Sequence, residues 1–439
     1  MEKLRKFVLT EEVVRSDGCT EVGAIAYAAG VAMAVLKRST NQSNSLVIEG
    51  IEIIADSGLL KNALSAGVPG ANGQKGPRIA AAMGAIIGNH EDKLAILQQV
   101  DEQLFRKAEK LVKAGKISVE CDWDSQSLMI KLVLKTSRNQ SSVTIEDGHT
   151  NVTEVICDGK DISQEFSVEK KKGNADNHNY LGALKELNIR DLVEISDQID
   201  EEDEGLIKEG VKMNLTIAED GMKYAGYGKA LSALIKKGYH SDDCIAKIKA
   251  SVGAATHARM IGVNMPVMSS GGSGNQGIVA ILPPYLFGKY YAVDDRIILE
   301  SIALSHMINS YIHAYTGKLF VMCGCAIAAG IGAAAAVAYQ LSERNVEVVE
   351  KAINNVIADI SGMLCDGAKV GCAKKVMTAS ENAIASALYA YEGIGADHYD
   401  GIVGRTPEES IKNMVEVGRL SSKKINKCIL EVLLKKTEE

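Results

Sequence analysis

The sequence predicts an α+β protein. A mostly helical domain formed by both chain ends, residues 1–40 and 176–439, carries a smaller α+β domain inserted at 41–175. Three observations predict this division. Short runs of strand character, SLVIEGIEIIA and then ISVECDW, SLMIKLVLKT, SVTIED and TEVICDG, occur only between residues 45 and 159 and are separated by turn residues. Helical spacing of apolar residues dominates before residue 40 and again from Tyr180 onward. Between the two lies a polar, Lys-rich stretch, EKKKGNADNHN, which reads as a linker over 164–178.

Taken in order, residues 1–40 are helical with a break at Ser16-Asp17-Gly18, and a new helix begins just after Cys19 in CTEVGAIAYAAGVAMAVLK. Ser45 to Ala55 is a strand, and 56–76 is a loop punctuated by Gly and Pro. Helices are expected over 78–88 and 92–114 before the strands begin. In the helical remainder, the acidic run Glu201 to Glu204 suits a solvated helix face or first turn. The stretch 319–341 carries no charge and is long enough to span a bilayer. Its wealth of Ala and Gly and its lack of aromatic flanks predict a closely packed buried helix instead, within one chain or across a homodimer.

With 439 residues, 46% of them hydrophobic, the chain has ample material for a core. A net charge of −7 and an aromatic content of 5% argue against nucleic acid and anionic membrane as partners. The nine cysteines are an odd number, and the opening MEKLRKFVLTEEVV has no apolar leader core. Free thiols in a reducing compartment, and hence a cytoplasmic location, are expected.

Several places carry residues fit for chemistry. Cys365 and Cys372 stand in CDGAKVGC, and Cys325 in CGC with Cys323. Their six-residue gap exceeds the roughly two to four residues of a zinc knuckle. It suits an iron–sulfur loop, with Gly367 and Gly371 letting the backbone fold around the cluster, or simply buried core thiols. SSGGSGNQG, from Ser269 to Gly277, offers backbone N–H groups together with Ser273, Asn275 and Gln276. Such a loop binds a carboxylate or small phosphate, or is a plain turn; it lacks the lysine of a nucleotide P-loop. Arg259, ten residues before Ser269, suits either a substrate carboxylate or a structural ion pair. Cys19 at a helix N-terminus sits at the positive end of the dipole, which favours thiolate and a role as base, nucleophile or ligand; a lone buried thiol is the alternative. Lys61 and Asn62 open a second Gly-rich loop of anion-nest character, running to Gly76. His306 and His313 share a helical face and read as core or supporting groups.

In this order the segments CTEVGAIAYA, KNALSAGVPG, HARMIGVNMPVMSSGGSGNQGI, GKLFVMCGCAIAAGIGAAAA and SGMLCDGAKVGCAKK resemble the L-cysteine desulfidase family, which is related to the α subunit of iron–sulfur L-serine dehydratases. The resemblance runs from Cys19 to TPEESIKN. It implies a lyase that turns L-cysteine and water into hydrogen sulfide, ammonia and pyruvate. It also implies a [4Fe-4S] cluster on Cys325, Cys365 and Cys372, with Cys323 as the alternative to Cys325, one iron open to substrate, and Cys19 as the catalytic cysteine. The small amino-acid substrate would be held by Asn62, Arg259, Ser273, Asn275 and Gln276. Three other readings compete: a serine dehydratase on the same cluster, a pyridoxal-phosphate lyase using a lysine such as Lys369 or Lys374, and a non-catalytic metal or oxygen sensor.

Overall fold

Alternation along Met129–Thr136, with Ile130, Leu132 and Leu134 turned inward, is the signature of a sheet covered on one face. The computed structural model of the chain, described over residues 1–40, 46–125, 127–166, 180–317 and 320–436, contains that sheet. Strands β1 (Arg15–Asp17), β2 (Ile48–Asp56), β3 (Ile117–Asp122), β4 (Met129–Thr136), β5 (Gln140–Glu146), β6 (Val152–Cys157), β7 (Lys160–Asp161) and β8 (Pro266–Met268) fall into two sheets. The larger has the order β3-β2-β4-β5-β6-β7, parallel between β2 and β3 and antiparallel elsewhere. The smaller pairs β1 with β8, Ser16 opposite Val267.

The Thr20–Ser39 helix covers the large sheet together with the Pro77–Ile87 helix. Small side chains let these helices touch backbone to backbone. A Cβ on Gly84 would stand 2.0 Å from the Ala26 carbonyl oxygen, so only glycine fits there. The hydrophobic core of this part runs from Cys19 and Val22 through Ile51, Ile53, Leu132 and Val143, and it takes in Leu430 from the far end of the chain.

This packing differs from the expectation that residues 1–40 belong with 176–439. The Thr20–Ser39 helix shares the core of the sheet, and only the segment before it, Val8 with Leu9 and Val13, packs into helical cores. A helix that is apolar on every side from Val22 to Leu36 carries no polar face to announce which core it joins. Of the expected linker over 164–178, residues 167–178 lie outside the described residues. The expected helix over 92–114 is a 3-10 turn, Lys93–Gln99, followed by the Glu102–Lys113 helix, which Asp101 caps by accepting from the Leu104 amide at 2.7 Å.

The helical part surrounds the Ala328–Leu341 helix, whose residues from Ala328 to Gln340 are buried within this one chain. Gly332 lets it approach the Ser305 carbonyl, where a Cβ would stand 2.6 Å away. Around it pack the helices Gly274–Tyr290, Asp295–Thr316, Val346–Ile360 and Cys372–Tyr391, and the Cys244–Met260 helix lies against the first and last of these. Among the described residues one helix, Thr20–Ser39, is long and apolar enough to cross a membrane, and 83% of its apolar window is buried in the fold. The Pro407–Lys435 helix joins the two parts. Its 29 residues span about 43 Å, with Ile411 and Met414 in the helical core and Leu430 in the core of the sheet.

Gly84→Val is expected to cost at least about 3 kcal/mol by urea denaturation, because the helix backbones must separate. Gly205→Ala, at an exposed helical site with nothing within 4 Å of the added methyl, is expected to stabilise by about 0.5–1 kcal/mol.

Candidate active site

Pairing of β1 with β8 brings the turn before Cys19 against the loop that follows Met268. Arg259, at the end of the Cys244–Met260 helix, joins them. Its Nη2 donates to the Gly18 carbonyl and its Nη1 to Asn275 Oδ1 at 3.1 Å. The guanidinium is 3% exposed, its Nε has no hydrogen-bond partner, and among the described residues no carboxylate forms an ion pair with it. A Cβ on Gly274 would lie 2.5 Å from that Nε, so glycine keeps the space beside it open.

The Ser269–Gly277 loop is held from behind. Gly271 and Gly272 adopt positive φ, at 54° and 75°, as the turn requires. Ser270 Oγ lies 2.9 Å from His306 Nδ1 and accepts from Asn309 Nδ2 at 2.8 Å. Ser273 is the N-cap of the Gly274–Tyr290 helix, and Gln276 in its first turn lies 2.6 Å from His313 Nε2. Both histidines therefore support the loop, as their shared face suggested.

The cysteines come from two segments joined at one bridge. Cys323 N donates to Met363 O and Cys365 N to Val321 O, each at 2.8 Å, around the paired Met322 and Leu364. Cys372 begins the Cys372–Tyr391 helix. Gly367, at φ 91°, lays this loop against the Ser57–Ala63 helix, where a Cβ would stand 2.3 Å from the Lys61 carbonyl. Asn62 is thereby placed between two walls. Its Nδ2 donates to Glu21 Oε1 at 2.8 Å, and its Oδ1 faces the Cys365 thiol at 3.9 Å. Ser273 Oγ lies 3.8 Å from Cys325 Sγ.

All nine candidates read from the sequence, Cys19, Asn62, Arg259, Ser273, Asn275, Gln276, Cys325, Cys365 and Cys372, line a single cavity of about 110 Å³. Cys323, Lys61, Phe320 and His313 line it too. Burial pushes the Cys365 thiol up and Cys372 up to about 11. Within the adjacent pair, the hydrogen bond from Cys325 and the Lys375 charge draw Cys323 down, while the same bond and burial raise Cys325. Cys325, Cys365 and Cys372 thus resist ionising until a cation arrives to share the charge, whereas Cys323 ionises more readily. Among the described residues no three His, Cys, Asp or Glu side chains converge on one ion position. A cluster needs no such convergence, since each thiolate binds its own iron at a separate corner. Buried and half-buried thiols on one wall, with the Lys61 and Lys375 charges beside them, are a donor set that fits an iron–sulfur cluster.

Two expectations change. Cys19 does cap the Thr20–Ser39 helix, but burial and then the Glu21 charge push its thiol well above the ordinary value, with Arg259 only opposing. The thiol donates to Glu21 Oε2 at 2.8 Å. A carboxylate in contact outweighs the partial charge of a helix end. The Gly-rich stretch after Asn62 is also no anion nest. Gly67 N donates to Met260 O and Gly76 N to Ala66 O, so the loop closes on itself and on a helix end, away from the cavity.

Glu21 and His149 also line the cavity and were not singled out in the sequence. Glu21 reads as a first-turn acid of the kind any helix favours, and His149 sits in the turn between β5 and β6, where nothing marks it.

His306 is fully buried, and burial holds its pKa down to about 3. An unfolded histidine titrates near ~6.5, so this group's stability is fully present above that pH and is lost as pH falls towards the folded value. From this one residue the protein is expected to be about 2 kcal/mol less stable at pH 5 than at pH 7.5, and urea midpoints of His306→Asn are expected to lack that component.

The profile of the family described as serine dehydratase alpha chain matches residues 91–433. That segment contains Arg259, the Ser269–Gly277 loop and the cavity cysteines Cys323, Cys325, Cys365 and Cys372, while Cys19, Glu21 and Asn62 precede it. A UPF0597 protein of Geobacter sulfurreducens is 39% identical over 429 residues, covering 98% of this chain and 97% of that protein. UPF0597 proteins of Desulfatibacillum aliphaticivorans and Elusimicrobium minutum are 35% identical over 436 residues and 34% over 435, covering 98% and 99% of this chain and 98% and 100% of their own. On a match of that extent, the chain belongs to the serine dehydratase alpha chain family.

Proposed function

We propose that the protein is an L-cysteine desulfidase, a carbon–sulfur lyase that eliminates the β-thiol of L-cysteine to give hydrogen sulfide, ammonia and pyruvate. The observation that carries this reading is a buried cavity in which a thiol paired with a carboxylate faces a guanidinium without an acidic partner. Family membership supports the lyase class and, with the cavity cysteines, the iron–sulfur centre. Cys365 and Cys372, with Cys325 or its neighbour Cys323, would hold a [4Fe-4S] cluster, which supplies Lewis acidity towards a carboxylate or a departing heteroatom when bound.

The chain's own groups divide the remaining work. Arg259 binds the substrate carboxylate, since a buried guanidinium lacking a counter-ion gains most from an incoming anion. Asn275 holds Arg259 in its plane. Ser273 and Gln276, at the start of their helix, fix the rest of the amino acid, Gln276 being steadied by His313. Cys19 removes the α-proton. Enclosure of the site limits the substrate to a small amino acid and keeps bulk water from the α-carbon.

A second reading, elimination of water from L-serine, is favoured by the matched family's description. One heteroatom distinguishes the two substrates, a modest difference in a small pocket.

Sulfide release from L-cysteine by anaerobically reconstituted protein, with L-serine alongside and iron-stripped protein as control, tests the choice. Iron-dependent sulfide with little serine turnover is the expected result, and serine turnover alone would move the substrate. Cys19→Ser is expected to lower kcat by about 10²-fold or more with iron retained. Arg259→Lys is expected to raise KM about 10–100-fold. Cys365→Ser and Cys372→Ser are each expected to lower bound iron, read by elemental analysis.

A further inference from the structure

A larger cleft of about 890 Å³ opens beside the buried cavity, between the strand-end turns of the sheet and the helical part. Thr20, Gly272 and His149 line both spaces. Of these three only a histidine exchanges protons near neutral pH. His149 comes from the sheet, in the turn between β5 and β6, and so stands where the enclosed site meets solvent.

On the inner side, Glu21 is held by three hydrogen bonds. Its Oε2 accepts from Cys19 Sγ at 2.8 Å and from Thr20 Oγ1 at 3.2 Å, and its Oε1 accepts from Asn62 Nδ2 at 2.8 Å. Burial alone would raise this carboxyl, but the charge of His149 and the bonds from Cys19 and Asn62 bring it below the ordinary carboxylate value. It is thus a carboxylate at rest, touching the thiol on one side and attracted by the charged His149 ring on the other. The other charged or titratable groups around it are Arg259 and Lys61 on the cavity wall, Asp56 at the end of β2, His313 across the cavity and Asp147 beside His149 in the cleft.

We propose that Glu21 and His149 form a proton relay that carries the proton leaving Cys19 to the outer cleft. The relay rests on the reading of Cys19 as the base. As the Cys19 sulfur accepts the proton from the substrate α-carbon, its own thiol proton passes to Glu21 Oε2. The C–H electron pair becomes the Cα=Cβ π bond, and the pair of the breaking Cβ–heteroatom bond leaves with the heteroatom. The His149 imidazolium releases its proton to water in the cleft, and the freed ring nitrogen takes the proton from Glu21. Thiol, carboxylate and imidazolium are restored, and nothing is oxidised or reduced. Neither residue touches a reacting atom of the substrate; both act through Cys19.

The test compares Glu21→Gln, Glu21→Asp, His149→Gln and Cys19→Ala in iron-loaded protein, with kcat/KM followed against pH. Glu21→Gln is expected to lower kcat about 10²-fold and to alter the pH profile, with Glu21→Asp recovering part of the rate. His149→Gln is expected to lose about 10-fold and to be restored by added imidazole, a rescue that a merely structural histidine would not permit. A readout without turnover uses cluster-free protein: alkylation of Cys19 by iodoacetamide, followed by peptide mass spectrometry, is expected to shift to lower pH in Glu21→Gln because the neighbouring negative charge is gone. Wild-type pH profile and alkylation in Glu21→Gln, or a His149→Gln defect unmoved by imidazole, would overturn the relay while loss of activity in Cys19→Ala leaves the base in place. Full turnover by Cys19→Ala would overturn the base instead, and the relay with it.

Discussion

A buried guanidinium without an acidic partner is the constraint around which the site is arranged. Removing a charge from water costs several kcal/mol even after relaxation, and Arg259 offsets part of that cost only by binding the Gly18 carbonyl and Asn275. These two bonds join the turn before Cys19 to the loop that follows β8. Gly274 must remain glycine so that the guanidinium fits beneath the loop. The short β1–β8 pair and the break at Gly18 follow from the same requirement, since the chain has to present a carbonyl to Arg259 just before the helix begins.

The opposite wall rests on close approach rather than charge. Gly367 sets the cysteine loop on the Lys61 carbonyl, and the Met322–Leu364 bridge brings Cys323 and Cys365 side by side. Asn62 spans the two walls, its amide nitrogen on Glu21 and its oxygen towards Cys365. One side chain therefore touches both the Glu21 carboxylate and a thiol of the cysteine wall. Displacement of either wall would break a bond to the other.

Much of this was legible in the sequence. Glycines in irregular segments, cysteines at unusual spacing and an arginine before a Gly/Ser loop are departures from regular periodicity, and Cys19, Arg259, Asn275, Cys365 and Cys372 stood out for that reason. The positions of the longer strands along the chain and the buried Ala328–Leu341 helix were legible too, from alternation and from small apolar residues. Glu21 was hidden because an acid in a first turn has an ordinary explanation, and only the direction of its side chain gives it another. His149 reaches the cavity through the docking of one part on the other, which no local pattern encodes. The Thr20–Ser39 helix went to the wrong core for a related reason: Ala and Gly side chains pack against a sheet or a bundle equally well.

The Pro407–Lys435 helix does more than brace the two parts. Lys61 is 2% exposed, and its ammonium donates to Asn426 Oδ1 at 2.8 Å, a partner 365 residues away. A ribosome adding roughly 5–20 residues per second makes that partner about 20–70 s after the lysine. The Gly367 loop that seats on the Lys61 carbonyl is made only shortly before Asn426, so for most of synthesis the helix carrying Lys61 and Asn62 has neither partner. The sheet can form early during synthesis, but the cavity closes late, so any metal enters a site that exists only after nearly all of the chain has been made.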